Sequence, residues 1–252
     1  MDINLYSIVL LCGSGFIAGA INTVAGGGSN LTLPILMMLG LPADIANGTN
    51  RVSVMLQCVV GVRSYDQHQS LERPAIIPIL IPTMLGGILG AILVALMPNL
   101  YLKPLLLGSI LCMSLVILLR PSMIAYPPET VPLSPRENRG AWWGLFAAGV
   151  YGGFVQAGVG FILLAALAGG LHYDLLRANA LKTVCALAFT TVALGVFILF
   201  DLVDWVPGLL LAVGSMTGAK LAIKIAVRAS QNAIKWFLFV MTLAAVVGGL
   251  LS

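Results

Sequence analysis

Of the 252 residues, 60% are hydrophobic and only 9% are charged, against about 45–50% and about 25% in an average soluble domain. That much apolar surface excludes a soluble globular fold. A net charge of +4, spread between apolar runs, gives no basis for a nucleic-acid partner.

In chain order the apolar runs and their breakers predict segments at 6–25, 31–41, 47–62, 75–97, 102–119, 141–155, 161–171, 178–200, 206–223 and 233–251. A helix needs about 20 apolar residues to cross the hydrocarbon core, and Ile76–Met97 carries no charge at all. Segments 31–41 and 161–171 are too short to span, and each follows a glycine break, so both read as half-helices. The N-terminus, Met1-Asp2-Ile3-Asn4, lacks the basic start of a secretory signal, and the first run is expected to stay as a helix. The four cysteines, Cys12, Cys58, Cys112 and Cys185, are isolated within apolar segments and read as small core residues.

The polar, proline-bearing stretch 120–140 divides the chain into a first transmembrane repeat, 1–119, and a second, 141–252. In the first, Gly15-Phe16-Ile17-Ala18-Gly19 leads to Gly26-Gly27-Gly28-Ser29-Asn30, a short apolar segment, Asp44, and Ala46-Asn47-Gly48-Thr49-Asn50-Arg51. In the second, Gly144-Leu145-Phe146-Ala147-Ala148-Gly149 leads to Gln156-Ala157-Gly158-Val159-Gly160, a short apolar segment, Asp174, and Ala178-Asn179-Ala180-Leu181-Lys182. Paired broken helices at matching positions of two halves point to a transporter site, because irregular backbone survives in a membrane only where protein or water satisfies it. The expected fold is therefore an all-α membrane protein, a polytopic helical bundle of two repeats, each with one glycine-broken helical hairpin.

Basic residues set the expected orientation. Lys220, Lys224, Arg228 and Lys235 surround one connection, which is placed in the cytoplasm, while Asp201 and Asp204 place the preceding one outside. The linker, with Arg120, Arg136 and Arg139, then falls inside, as do Arg63 and Arg73. On this count the two repeats are inverted about an axis in the membrane plane, with a parallel arrangement as the alternative.

Several motifs carry the expected site. Gly26, Gly27 and Gly28, with Ser29 and Asn30, permit backbone closed to other residues and expose amides at the start of a half-helix, where an anion is favoured; a ligand-free tight hairpin is the alternative. Gln156, Gly158 and Gly160 are the second-half counterpart. Arg51 and Lys182 each stand beside a repeated Ala-Asn motif near the start of a span, and an ionised group there needs a partner or a water-filled cavity. Both suit an anion, or else they snorkel or pair with Asp44 or Asp174. The substrate-binding set is completed by Asn22, Asn47, Thr49, Asn50 and Asn179. The match of Gly13-Ser14-Gly15-Phe16-Ile17-Ala18 to a dinucleotide fingerprint lacks a preceding strand, and no Gly-Lys-Ser/Thr follows the glycine cluster. Small residues four apart, at Gly15/Gly19, Gly86/Gly90, Gly149/Gly153 and Gly214/Gly218, read as close helix packing. The stripe Lys220, Lys224 and Arg228 suits anionic lipid, with an anion vestibule as the alternative.

The run Gly19-Ala20-Ile21-Asn22-Thr23-Val24-Ala25-Gly26-Gly27-Gly28-Ser29, with Pro34 and then Ala46-Asn47-Gly48-Thr49-Asn50-Arg51, resembles the TauE/SafE sulfite exporter family. Ala178-Asn179-Ala180-Leu181-Lys182 is similar to that family's second-half motif, and the likeness covers nearly the whole chain. It implies a multi-pass carrier of the bacterial inner membrane for small sulfur-containing anions such as sulfite, thiosulfate or an organosulfonate. The expectation is a secondary transporter working by alternating access. A passive anion channel is the runner-up, and an intramembrane enzyme or structural subunit is a third class. No cofactor and no metal is expected. The expected partners are the anion and membrane lipids, with a homodimer left open.

Overall fold

The computed structural model describes residues 4–24, 26–119, 130–135 and 137–228, and among these every regular element is helical. The predicted segment 233–251, Lys235, and the linker positions Arg120 and Arg136 lie outside them. The helices are α1 (Leu5–Val24), α2 (Ser29–Met38), α3 (Ala43–Gln67), α4 (Arg73–Ala95), α5 (Asn99–Leu119), α6 (Arg139–Phe154), α7 (Val159–Leu164), α8 (Leu175–Leu199) and α9 (Trp205–Ala226). A π-helical turn, Ala165–Gly170, continues α7.

The half-helices are as short as the glycine breaks predict: α2 has 10 residues and α7 has 6 before its π turn. Among the described residues α1, α4, α8 and α9 are long and apolar enough to cross a membrane. The principal departure from the predicted boundaries is α3, which begins at Ala43 rather than near 47. Its first turns carry the part-exposed Asp44 and then Asn47, Thr49, Asn50 and Arg51, so hydropathy hides a helix that Pro42 starts and that buries these last four inside the bundle.

Glycine seams set the helix pairs. A Cβ on Gly15 or Gly19 would strike the carbonyls of Leu211 and Ser215 in α9, and one on Gly214 or Gly218 would strike those of Cys12 and Phe16 in α1. α4 and α6 meet in the same way, Gly86 and Gly90 against Phe146 and Val150, Gly149 and Gly153 against Thr83 and Gly87. Residue numbers rise together across both seams, so each pair runs parallel. Backbones this close are the product of small residues four apart.

The connections gather at two ends. Leu33, Met37, Val94, Met97, Leu202 and Val203 share one cluster, which brings together the loops after α2, α4 and α8. At the other end Arg177 donates to Glu72 and to the Thr130 carbonyl, Leu133 N–H donates to the Leu171 carbonyl, and Tyr65 packs with Ile223 and Val227. α3 and α8 therefore run in opposite directions.

Candidate functional site

The two glycine breaks meet at the centre of the bundle. Gly160 N–H donates to the Gly26 carbonyl at 3.2 Å, and a Cβ on either glycine would overlap the other's backbone. Gly26 has φ +93 and Gly158, the N-cap of α7, has φ +73. Gln156, two residues before Gly158, also adopts a left-handed backbone, φ +67. A side chain held there costs of order 1–3 kcal/mol and persists where its surroundings over-determine it. Its amide Nε2 lies 2.8 Å from Thr190 Oγ1, while Oε1 is buried without a partner.

Beside this crossing lies a small cavity of about 10 Å³, room for one water. Four of the expected residues line it: Asn22, Gln156, Gly160 and Lys182. Thr23, Gln57, Cys58 and Thr183 join them. Gln57 accepts from Asn22 Nδ2 at 3.3 Å and donates to Thr23 Oγ1 at 3.3 Å, tying α3 to the end of α1. Sequence reasoning missed Gln57, Thr183 and Thr190. The available signal was helical spacing, since Gln57 follows Asn50 and Thr190 follows Thr183 by seven residues, two turns along one helix face.

The other expected residues surround the crossing without lining the cavity. Asn50 of α3 donates to Ser29 Oγ at 3.0 Å and accepts from Thr32 Oγ1 at 2.6 Å, which fixes α2 against α3. Asn47 Nδ2 donates to the Phe154 carbonyl at 2.9 Å, and Thr49 Oγ1 accepts the Asp204 N–H at 2.9 Å. Gly28 packs on the Ala18 carbonyl and Asn22, whereas Gly27 faces the Phe161 ring edge. The Asn30 amide, 3% exposed, has neither oxygen nor nitrogen paired.

The two buried cations serve the same kind of partner. Lys182 Nζ donates to the carbonyls of Asn22 at 3.0 Å and Thr23 at 2.9 Å, the last turn of α1, and to Asn179 Oδ1 at 2.6 Å. Arg51, 0% exposed, donates to the carbonyls of Gly152 at 2.8 Å, Gly153 at 2.7 Å and Phe154 at 3.3 Å, the last turn of α6. It also reaches Asn47 Oδ1 at 3.4 Å, and the Phe197 ring covers its guanidinium at 5.0 Å. Its Nε is without a partner. The last carbonyls of a helix lack intrahelical partners and carry the negative end of its dipole, so a cation is the natural cap. Asp174, the alternative partner for Lys182, instead caps α8 by accepting the N–H groups of Leu176 and Arg177, and it pairs with the Arg177 side chain.

A helical chain with four bilayer-length apolar helices, two half-helices and buried polar groups around their crossing is a membrane transporter in class. The family profile Sulfite exporter TauE/SafE matches residues 11–248, and the chain belongs to that family of membrane transporters, which are not enzymes. It is similar to the probable membrane transporter protein ORF9 of Sinorhizobium sp, at 26% identity with 96% of this chain and 92% of the relative covered. It is also similar to a probable membrane transporter protein of Haemophilus influenzae, at 28% identity with 96% and 94% covered.

Proposed function

We propose that the chain is a multi-pass inner-membrane secondary transporter that moves a small sulfur-containing anion by alternating access around the crossing of its two broken hairpins. The observation that carries this reading is the small cavity where Lys182, Asn22, Gln57 and Gln156 converge among apolar side chains beside the Gly26–Gly160 contact. Donors from both halves meet there, and one of them is a full positive charge. The left-handed backbone of Gln156 at this cavity is strain of the kind that clusters at functional sites.

The repeats are inverted in this proposal. Support comes from the opposite directions of α3 and α8, and from the matching parallel pairs α1–α9 and α4–α6. A cavity of one water's volume must widen to admit an oxyanion, which favours a carrier over an open channel. The test is counterflow in proteoliposomes with sulfite, thiosulfate or methanesulfonate. Saturable flux with trans-acceleration is expected, and linear flux without counterflow would make the protein a channel. Orientation is tested by single cysteines at 66 and 134, expected to label from the cytoplasm, and at 203, expected to label from outside; labelling of 66 and 203 from one side would refute the inverted arrangement.

A further inference from the structure

Lys182 and Arg51 cap broken helices of opposite halves, but they do so in different surroundings. The geometry points to unequal roles: Lys182 is the cation that exchanges its carbonyl partners for the substrate, and Arg51 is a positioning residue that holds the second hairpin throughout the cycle. This rests on the carrier reading above.

Lys182 sits on the cavity wall, 3% exposed, and its three ammonium protons serve the Asn22 and Thr23 carbonyls and Asn179 Oδ1. An anion entering the cavity finds no free proton on Nζ, so binding must take one from these acceptors. The competition is decided by charge. A helix C-terminus presents about half an elementary charge, spread over several carbonyls, whereas an oxyanion presents at least about one. An ammonium on a four-carbon stem turns between them without moving its backbone. The acceptors given up lie at the end of α1, three and four residues before the left-handed Gly26, and the side-chain contacts that reach it from α3 are longer: Gln57 with Asn22 and Thr23 at 3.3 Å, Tyr65 to the Thr23 carbonyl at 3.4 Å and Gln57 to the Gly19 carbonyl at 3.5 Å. Substrate binding at Lys182 thus releases the α1 end of the first hairpin.

Arg51 does not line the cavity. Its fork spans three successive carbonyls of α6, and Phe197 closes one face of the guanidinium. An anion reaching it would have to displace packed backbone rather than a swivelling contact. The second hairpin is therefore the fixed half against which the first moves.

The test compares sulfite and thiosulfate transport by the parent protein with that of Lys182→Gln and Arg51→Lys, alongside hydrogen exchange of the ligand-free proteins. Lys182→Gln is expected to raise KM at least about tenfold and to speed exchange near residues 22–28, with 152–158 unchanged. Lys182→Arg, which keeps the charge but replaces the compact ammonium with a rigid fork, is expected to recover only part of the lost affinity. Arg51→Lys is expected to lower the maximal rate with KM within about twofold, and to speed exchange near 152–158 instead. Phe197→Leu, a milder disturbance of the same clamp, should behave likewise and serves if Arg51→Lys fails to fold. An Arg51→Lys or Phe197→Leu protein whose KM rises as far as that of Lys182→Gln would overturn the unequal roles, as would a Lys182→Gln protein with unchanged KM. A parent that moves none of the sulfur anions would instead refute the carrier reading itself.

Discussion

The ends of α1 and α6 are built alike and finished differently. Each is the first helix of a broken hairpin, each packs parallel to a partner through glycines four apart, and each has its last carbonyls held by a cation from the other half of the chain. At α6 the cap is a guanidinium sealed under Phe197, and at α1 it is an ammonium facing a cavity. Shared geometry thus accommodates two tasks, fixing one hairpin and gating the other, and the choice of cation matches each. Guanidinium presents a rigid planar fork to several carbonyls, whereas ammonium is a compact charge whose partners can change.

The comparison breaks first where the hairpins touch. Gly26→Val places a branched side chain at φ +93 and against the Gly160 backbone, so transport is expected to fall below detection and the protein to lose thermal stability. Retained flux would show that the crossing is dispensable. Next is Lys182→Gln, whose loss of substrate affinity is expected to exceed about tenfold with membrane insertion intact. Ligand-induced thermal stabilisation measures it, and affinity within about twofold of the parent would leave Lys182 a cap and nothing more.

Gln156→Gly sharpens the contrast between the two breaks, because it gives the second the residue type of the first. Relief of the left-handed strain and removal of an unpaired carbonyl offset the lost Thr190 contact, so stability should stay within about 1 kcal/mol of the parent while affinity falls. Unfolding midpoints and binding isotherms measured together check this, and unchanged affinity would remove Gln156 from the site. The smallest effect is expected from Arg73→Ala. Its pair with Asp66 is exposed, 75% and 39%, and its loss should cost under about 1 kcal/mol by thermal unfolding, with transport unchanged.

Much of this architecture is written in local chemistry. Long charge-free runs can only be membrane-spanning helices, and glycines between short apolar segments can only be breaks, so α1, α2, α4 and the α6–α7 turn were legible from periodicity and composition. The site was legible in part: Asn22, Gln156, Gly160 and Lys182 were singled out and line the cavity, while Gln57 and Thr183 look like ordinary polar residues of apolar helices until folding turns them inward. The partners of the cations were not legible. Lys182 meets Asn22 and Thr23 about 160 positions earlier in the chain, and Arg51 meets Gly152 and Gly153 about 100 positions later. Their acceptors are backbone carbonyls, which every residue carries and which no side-chain pattern marks. Sequence alone therefore determined that two cations stand beside an Ala-Asn motif near the starts of two helices, and left open whether they are buried. Only the tertiary structure decided what each one holds, because a helix end becomes an acceptor for a distant charge only when packing brings the two together.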